Sequence, residues 1–446
     1  ISCLLKDLEK TIKDDIKKYN LEQYVSSDAK VEDRGWYYIA PLLIDRAKYK
    51  AIADYWFYNV ESLARNEKEN QKAIAEHLAY LKAIYTKNEL NLFGKMPEDL
   101  AQVLAIMALG APAIIAKRTL KGIVGTNRYT YSTLDNMAYK IANEFRLKFA
   151  EAESIGVLDS FYKEKEVYWR KVLRYCVDGN LQSVLDEYMY LLYENNKLDD
   201  ILDMSLRIEK AGELLIETTS LRNSRFSVDT IDSVLKYSEK INLRTHYSVS
   251  LSHKNNTDAA QGRTDNVRDV FNSPFRPFVL TSTSIGQEGL DFHWYCRKII
   301  HWNLPSNPVD LEQREGRINR YKGLVIRNNL GRRYNPTKKE NNIIDMWNSV
   351  FENSEEKKEA PNDLIPYWML GDDNRDDIVK IERIIPYYPY SKDSEHLENL
   401  LKILSIYRIS LGQARQEELI NYLLQDSNEE KIKEINKLVL NLSPLE

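Results

Sequence analysis

The sequence has few cysteines and histidines, and their spacing excludes the sites that these residues usually build. The three cysteines, Cys3, Cys176 and Cys296, stand far apart and form no CxxC pair. They therefore predict neither a disulfide framework nor a zinc site, and they fit a reducing cytoplasm. The six histidines show no metal-ligand spacing either, so we expect no metal site in the chain itself.

Long apolar runs are also missing. The longest, residues 100–116, contains Gln102 and is interrupted by Gly110 and Pro112. Because a membrane span needs about 20 apolar residues, this run predicts a buried helix that breaks at Gly110-Ala111-Pro112, and no membrane contact. The chain starts at Ile1 with neither an initiator Met nor a basic leader, and we interpret this start as cut from a longer polypeptide.

An excess of positive charge is absent as well. The formal net charge is -4, although 29% of the residues are charged. This balance excludes a histone-like or polybasic binder, so any nucleic-acid contact has to come from a local basic patch. What the chain does have is length and apolar content, since 446 residues with 43% hydrophobic residues are enough for two or three domains with cores.

Hydrophobic periodicity divides the chain into three parts. Residues 1–220 place apolar and charged residues at helical spacing, for example over residues 181–192, and are predicted to be a helical domain. Residues 346–446 are predicted to be a second helical region, associated with an acidic linker over residues 353–363. The pattern is different between them, in residues 221–345.

This middle part predicts a parallel sheet. Short buried strands that alternate with helices are typical of a parallel α/β fold, so we expect an α/β lobe flanked by the two large helical regions. The strands at residues 278–281 and 298–302 should lie side by side or one strand apart. The predicted strands either alternate apolar and polar residues with period two or are continuously apolar. They are residues 225–231, 246–251, 278–281 and 298–302.

An aromatic stretch lies in the first helical part and runs from Trp36-Tyr37-Tyr38 to Trp56-Phe57-Tyr58. Exposed aromatic side chains of this kind can form a platform on which nucleic-acid bases stack. The alternative is aromatic core between helices, and we favour it because basic residues are not regularly interleaved.

A helix with clustered arginines is predicted after the strand at residues 298–302. Asn307 is a favourable N-cap and Pro308 suits the first helical position. Gln313, Arg317 and Arg320 follow at spacings of four and three residues, so a helix places them on one face. Two arginines on one face can clamp an anionic group, whereas a pair of surface arginines that faces water is the alternative for this feature alone.

A turn rich in hydroxyl groups and glycine precedes this helix. Thr281-Ser282-Thr283-Ser284 leads to Gly286 and Gly289, and the turn ends at Asp291. Such a turn presents backbone N–H groups and hydroxyls to phosphate. Two glycines alone are a weak signal, but a strand, this turn, a second strand and the arginine helix follow one another between residues 278 and 323.

These segments resemble two motifs of superfamily 2 helicases. Residues 283–291, TSIGQEGLD, look like motif V, and residues 313–320, QREGRINR, look like motif VI, QRxGRxxR. The intervening Asn303-Leu304-Pro305-Ser306-Asn307-Pro308 is most similar to Swi/Snf-type translocases, especially the bacterial RapA-like branch. The resemblance covers about residues 243–325 and implies the second RecA-like lobe of such a motor. The chain departs from the Swi/Snf pattern at Tyr321-Lys322-Gly323.

The resemblance also implies roles for individual residues. Arg317 and Arg320 match the arginine fingers that reach the ATP γ-phosphate, and Thr283, with Ser282 beside it, matches the position that contacts the nucleic-acid backbone. Because adjacent guanidiniums repel each other, we expect the fingers to be solvated or paired with an acid when no ATP is bound. The residues that match other positions near ATP are Gln313, Gly289 and Asp291.

A complete motor also needs a phosphate-binding loop, GxxxxGK[ST], and the sequence contains none. Residues 184–187, Val-Leu-Asp-Glu, are a poor substitute for an Mg²⁺-binding acidic motif because their surroundings are helical. The resemblance therefore implies that ATP and Mg²⁺ are bound mainly by a first RecA-like lobe, upstream or on another chain. We predict the C-terminal part of an ATP-dependent helicase or translocase. The alternative is a helicase-derived module that binds nucleic acid or protein without turnover.

A basic segment follows the arginine helix. It has no acid from Tyr321 through Lys339 and contains Asn328-Asn329 and Gly331, so it is predicted to be an exposed loop. This loop is either a patch that tracks nucleic-acid phosphates or an ordinary solvated loop, and family analogy makes double-stranded DNA the expected nucleic acid. Its basic residues are Lys322, Arg327, Arg332, Arg333, Lys338 and Lys339.

Overall fold

The chain divides into two compact units. The first comprises residues 1–219 and 341–344, and the second comprises residues 220–340 and 345–446. The computed structural model describes residues 1–26, 35–51, 53–54, 72–86, 93–124, 131–162, 166–219, 224–228, 241–245, 268–275, 277–282, 291–334, 342–358, 362–370, 378–409 and 415–425.

The first unit is mainly helical, and its helices bury apolar faces against one another. In chain order they are α1 (Ser2–Lys18), α2 (Trp36–Lys48), α3 (Lys72–Thr86), α4 (Leu100–Gly110), α5 (Pro112–Gly122), α6 (Tyr131–Phe149), α7 (Ala152–Phe161), α8 (Tyr168–Asp178), α9 (Leu181–Asn195) and α10 (Met204–Thr219).

The apolar run at residues 100–116 forms two helices. α4 ends at Gly110 and α5 begins at Pro112, which confirms the predicted break. Gly110 permits a close approach of α8, because a Cβ atom there would lie 2.6 Å from the carbonyl oxygen of Leu173. In the part of the chain that the structure describes, no single helix is long and apolar enough to cross a membrane, although α4 and α5, bent by 43°, pass that test as a pair.

The aromatic stretch belongs to the core at its first residue. Trp36 is fully buried, and its indole N–H donates to the carbonyl oxygen of Gly94 at 2.9 Å. Tyr37 is partly buried and donates its hydroxyl to Asp99 at 2.7 Å. The core interpretation is therefore confirmed for Trp36, while Trp56-Phe57-Tyr58 lies outside the described residues.

Residues 184–187 lie within α9, so their predicted helical surroundings are confirmed. The carboxylate of Asp186 accepts hydrogen bonds from Thr119 at 2.7 Å and from Gln182 at 2.8 Å. Burial raises the pKa of Asp186 above its ordinary value, against the opposing effect of those two hydrogen bonds. This carboxylate is a structural tie between α9 and α5.

The second unit has two small sheets among its described residues. β1 (Ser224–Val228) pairs with β2 (Ile241–Thr245) in an antiparallel ladder. β3 (Lys298–Ile300) pairs with β4 (Glu382–Ile384) in a parallel ladder. The helices that follow β3 are α11 (Pro308–Gly316), α12 (Leu324–Arg333), α13 (Ile343–Glu356), α14 (Asp393–Ile409) and α15 (Gln416–Gln425).

The predicted strands are partly present. Residues 225–228 and 298–300 are in strands, but β1 runs antiparallel to its neighbour and β3 pairs with β4. The strand predicted at 278–281 is wrong, because this segment is irregular and Phe278 and Val279 are 74% and 75% exposed. An apolar run forms a strand only where a second strand pairs with it, and tertiary structure decides that pairing. The strand predicted at 246–251 lies outside the described residues.

The acidic linker predicted over residues 353–363 is wrong in its first part. α13 continues to Glu356, and its residues Phe351 and Ser354 are buried. The helix persists because one face packs on the core while the acidic run lies on the other. β4 lies in the region predicted to be helical, together with α14 and α15.

Candidate functional site

α11 begins and is capped as the sequence predicts. The side chain of Asn307 accepts a hydrogen bond from the backbone N–H of Val309 at 2.9 Å. Pro308 is the first helical residue and Asp310 lies in the first turn. Leu311 is fully buried, which anchors the helix on the core.

The arginine cluster lies at the C-terminal end of α11. The helix ends at Gly316, Arg317 is its C-cap residue, and Arg320 lies beyond the helix. The N–H of Arg317 donates to the carbonyl of Arg314 at 3.2 Å, only three residues back, so the last turn tightens before the chain leaves the helix. The expectation that Gln313, Arg317 and Arg320 share one helical face is therefore wrong, and Gln313 is exposed on α11.

Both arginines reach the same carboxylate. Oδ1 of Asp291 lies 3.0 Å from Nε of Arg320 and 3.7 Å from Nη1 of Arg317. A backbone hydrogen bond from the N–H of Phe292 to the carbonyl of Arg317, at 2.8 Å, joins the two segments. The segments that resemble motifs V and VI therefore meet at this point, and Asp291 is the acid that reduces repulsion between the guanidiniums.

This cluster is accessible and incompletely satisfied. The side chains of Arg317, Arg320 and Asp291 are 19%, 35% and 46% exposed. Nε of Arg317 is buried and has no hydrogen-bond partner among the described residues. A guanidinium N–H without an acceptor favours an anion beside it. The residues present therefore fit a phosphate group bound by the two arginines in exchange for Asp291.

A second ionic cluster fixes the end of α11. Arg383 of β4 donates from Nε and Nη2 to the two carboxylate oxygens of Glu315, at 2.5 and 2.7 Å. Nε2 of the buried His301 lies 3.2 Å from the same carboxylate. Burial acts to raise the pKa of Glu315, but hydrogen bonds from His301 and Arg383 outweigh it and lower that pKa to about 2. Glu315 is therefore ionised at neutral pH and ties α11 to β4 two residues before Arg317.

His293 follows Asp291 on the same segment. Burial lowers the pKa of His293 to about 4; Asp291 opposes this shift, and Arg327 and Arg320 reinforce it. Its buried Nδ1 has no hydrogen-bond partner in the described part of the chain. The imidazole is therefore neutral at pH 7 and adds no positive charge beside the arginines.

Two residues of the predicted basic loop are buried. Residues 324–333 form α12, so the expectation of an exposed loop is wrong. Arg327 is 0% exposed and donates to the carbonyl oxygens of Lys322 and Trp294. Lys322 is 7% exposed, and its ammonium lies 4.6 Å from the centre of the Phe351 ring. The apolar residues Ile326 and Leu330 pack in the core, and the side chains of Lys322 and Arg327 are buried with them. Neither cation is therefore available to a nucleic-acid phosphate.

The other predicted site residues do not join the cluster at Asp291 among the described contacts. Arg332 is exposed at the end of α12, Arg333 beside it is partly exposed, and Ser282 is exposed. Outside the described residues lie Thr283, Gly289, Lys338 and Lys339.

Both segments of the cluster lie in a stretch of the chain that is similar to a known domain. Residues 194–322 match the helicase conserved C-terminal domain. A 60-residue segment is 40% identical to the uncharacterized ATP-dependent helicase YqhH of Bacillus subtilis (strain 168), and it covers 14% of this chain and 10% of that protein. No solved structure is significantly similar to the chain. The two matches support the C-terminal lobe of a superfamily 2 helicase, with the RecA-like fold that this domain implies and a helicase-related function.

The helicase match ends before several elements that support the cluster. It stops at residue 322, whereas α12, α13 and β4 follow. Sequence reasoning missed Glu315, His293 and Arg383 as site residues. Glu315 and His293 had a signal, since they lie inside or next to the motif segments. Arg383 had none, because only the pairing of β4 with β3 brings it to α11.

Proposed function

We propose that this chain is the C-terminal part of an ATP-dependent helicase or translocase in which Arg317 and Arg320 are arginine fingers. The observation that carries the proposal is the approach of both guanidiniums to Asp291, at 3.7 and 3.0 Å. The unpaired, buried Nε of Arg317 supports it, since this atom needs an acceptor. In the proposal Gln313 and Gly289 contact ATP from this lobe, and Asp291, the third residue of the ATP site, pairs with the two guanidiniums until the phosphate replaces it.

The chemistry of the proposal is stabilisation of charge. ATP with Mg²⁺ supplies the phosphoryl group, and both are bound mainly by a first RecA-like lobe, upstream or on another chain. Arg317 and Arg320 bind the phosphate in place of Asp291 and stabilise the negative charge that develops on it. The planar fork of a guanidinium suits two oxygens of one phosphate, which the point charge of a lysine does not.

The nucleic-acid part of the proposal rests on family analogy and on exposure. We include double-stranded DNA as the nucleic acid, a Swi/Snf-like motor as the type and the cytoplasm as the location, in keeping with the three free cysteines. Ser282 and Thr283 precede Asp291 by nine and eight residues in the sequence, so a contact to the nucleic-acid backbone there would be joined to the phosphate site by a short segment of chain. Arg332 and Arg333 add positive charge at the end of α12.

Lysine variants test the fingers. In the complete protein that carries this chain and its first lobe, Arg317→Lys and Arg320→Lys should each lower nucleic-acid-stimulated ATP hydrolysis by about 10³–10⁵-fold, while ATP binding survives. Arg415→Lys is the control, because Arg415 is 80% exposed and its ion pair with Glu418 lies at the surface. It should keep wild-type turnover.

Two other outcomes would change the assignment. Near wild-type turnover in both finger variants would mean that the motif VI assignment is wrong. A wild-type protein that binds nucleic acid and never hydrolyses ATP would support the alternative, a helicase-derived binding module without turnover.

A further inference from the structure

Arg327 is a buried cation on α12, and it donates hydrogen bonds to backbone carbonyls near the cluster of Asp291, Arg317 and Arg320, which is called the finger site below. Its side chain is 0% exposed. Nη1 donates to the carbonyl oxygen of Lys322 and Nη2 to that of Trp294, both at 2.6 Å. The guanidinium also lies 5.5 Å from the centre of the Tyr295 ring. Burying a charge is costly unless strong hydrogen bonds compensate, so these bonds fix the position of the side chain.

The two carbonyls belong to the two segments that form the finger site. Trp294 lies three residues after Asp291, and Lys322 lies two residues after Arg320. Arg327 therefore bridges the segment that carries the carboxylate to the segment that carries the guanidinium. A change in the length of this bridge changes the relative position of Asp291 and Arg320.

Backbone hydrogen bonds join the same two segments on the way to this bridge. The N–H of Phe292 donates to the carbonyl of Arg317 at 2.8 Å, and the N–H of Leu324 donates to the carbonyl of His293 at 2.9 Å. The segments are thus attached at both backbone contacts, and Arg327 adds a side-chain bridge beyond them. Such a junction has little freedom as long as all three contacts are made.

The turn at Lys322 needs external support. Its φ is +50°, in the left-handed region that a residue other than glycine rarely adopts. The Lys322 N–H donates to the carbonyl of Tyr367 at 2.8 Å, while its own carbonyl accepts from Arg327. Strained backbone persists where the surroundings over-determine it, so loss of the Arg327 bond should let this turn relax.

We propose that Arg327 is a positioning residue, which holds Arg320 at hydrogen-bonding distance from Asp291 by bridging the carbonyls of Trp294 and Lys322. The inference rests on the proposed function, because the position of Arg320 affects the rate of ATP hydrolysis only if Arg320 is an arginine finger. When the bridge is lost, Arg320 moves with the turn at Lys322. A displacement of about 1 Å can cost on the order of 10² in rate.

Arg327→Lys tests the inference in the complete protein. The lysine keeps the charge and loses the fork that reaches two carbonyls. We expect kcat for stimulated ATP hydrolysis to fall on the order of 10²-fold, with the KM for ATP close to wild type because the first lobe binds most of the nucleotide. Wild-type kcat in a folded Arg327→Lys protein overturns the proposal.

Arg207→Lys is a matched control in the first unit. Arg207 also donates to two backbone carbonyls, that of Ile201 at 2.7 Å and that of Asp199 at 3.2 Å. Its lysine variant therefore loses the same kind of bridge in the unit that does not contain the fingers and should keep wild-type kcat. An equal loss of kcat in both variants would assign the effect to general destabilisation and would overturn the positioning role.

A double variant separates positioning from stability. In an Arg320→Lys background, Arg327→Lys should have little further effect on the single-turnover rate, because the residue that it positions is already lost. The same fold-loss in both backgrounds overturns the inference. If the single variant Arg320→Lys keeps wild-type turnover, the finger role of Arg320 fails and the inference fails with it. If only Arg327→Lys keeps it, the inference fails and the finger assignment stands.

A milder variant covers the case in which Arg327→Lys does not fold. Tyr295→Leu keeps the arginine itself but removes the ring that lies 5.5 Å from its guanidinium, which weakens the support that holds the bridge in position. We expect a roughly three- to tenfold loss of kcat, in keeping with the usual strength of a cation–π contact, and again little further loss in the Arg320→Lys background. Wild-type kcat in Tyr295→Leu would contradict the inference.

Discussion

At the scale of single residues, Asp291 sets the charge of the candidate site. It lies between two guanidiniums, and its own side chain is 46% exposed. The ion pairs are therefore partly screened by water, and the carboxylate can exchange with another anion at modest cost. A phosphate that binds Arg317 and Arg320 has to compete with Asp291 for the same donors.

Asp291→Asn tests this competition. The substitution removes one negative charge and keeps nearly the same shape, so the two guanidiniums should bind a small anion more tightly. For pyrophosphate we expect a roughly two- to fivefold lower Kd, since partly exposed ion pairs contribute about 1 kcal/mol or less. Titration calorimetry at low salt measures it. Asp363→Asn makes the same charge change at an exposed residue that does not belong to the cluster and should leave Kd unchanged. An unchanged Kd for Asp291→Asn would show that this carboxylate does not compete with anions.

At the scale of elements, α11 is held at its two ends by different kinds of contact. The side chain of Asn307 caps the N-terminus by accepting a hydrogen bond from Val309, two residues later in the chain, so this cap depends on local sequence. Glu315 near the C-terminus bonds to Arg383 of β4, so that end depends on a distant strand. The finger residues lie at the second end, and their position therefore depends on tertiary structure.

The Glu315–Arg383 contact predicts an acid-dependent loss of stability. Folding lowers the pKa of Glu315 from its ordinary 4.5 to about 2. A group with a lowered pKa stabilises the fold above its unfolded pKa and loses that effect as the pH falls through the folded pKa. The free energy of unfolding should therefore fall by up to about 3 kcal/mol from this group between about pH 5 and pH 2.

Urea unfolding of Glu315→Gln at a series of pH values measures this contribution. The difference in unfolding free energy between wild type and variant should be largest above pH 5 and should shrink toward pH 2, where the wild-type carboxyl also becomes protonated. Glu398→Gln, at an exposed position on α14, is the control and should show no such pH dependence. A difference that stays constant down to pH 2 would contradict ionic stabilisation by Glu315.

At the scale of the whole molecule, the candidate site lies within the second unit, and the helicase match does not contain all of its support. The match ends at residue 322, yet Arg327, the carbonyl of Tyr367 and Arg383 all act on residues inside it. Segments after the match therefore hold residues inside it in place. The chain overlaps its Bacillus subtilis relative over 10% of that protein's length.

The chain by itself should be inactive as an ATPase. Its sequence has no GxxxxGK[ST] loop, and arginine fingers act only on a phosphate that such a loop presents. Phosphate release from ATP by the purified chain should therefore equal the background without protein. An Arg317→Ala chain purified in parallel controls for contaminating ATPases. Turnover that is present in the wild-type chain and lost in Arg317→Ala would contradict the proposal that a first lobe outside this chain binds the ATP phosphates.

The candidate site could be predicted from the sequence where its residues belong to short motifs. Asp291, Arg317 and Arg320 come from the resemblance, and the structure brings them together. The prediction that Arg327 lies in an exposed basic loop was wrong, because a run of basic residues does not show which of their side chains face the core. The shared helical face was also wrong, since the end of α11 depends on a tightened last turn.

The sequence by itself determined the features that arise from contacts between near neighbours. These are the capped start of α11 at Pro308 and the break between α4 and α5, both set by backbone geometry within a few residues. Tertiary structure alone decided that β3 pairs with β4, that Lys322 and Arg327 are buried, and that Arg383 binds Glu315. Each of these depends on packing between segments that are distant in the chain, and no local pattern of residues carries that information.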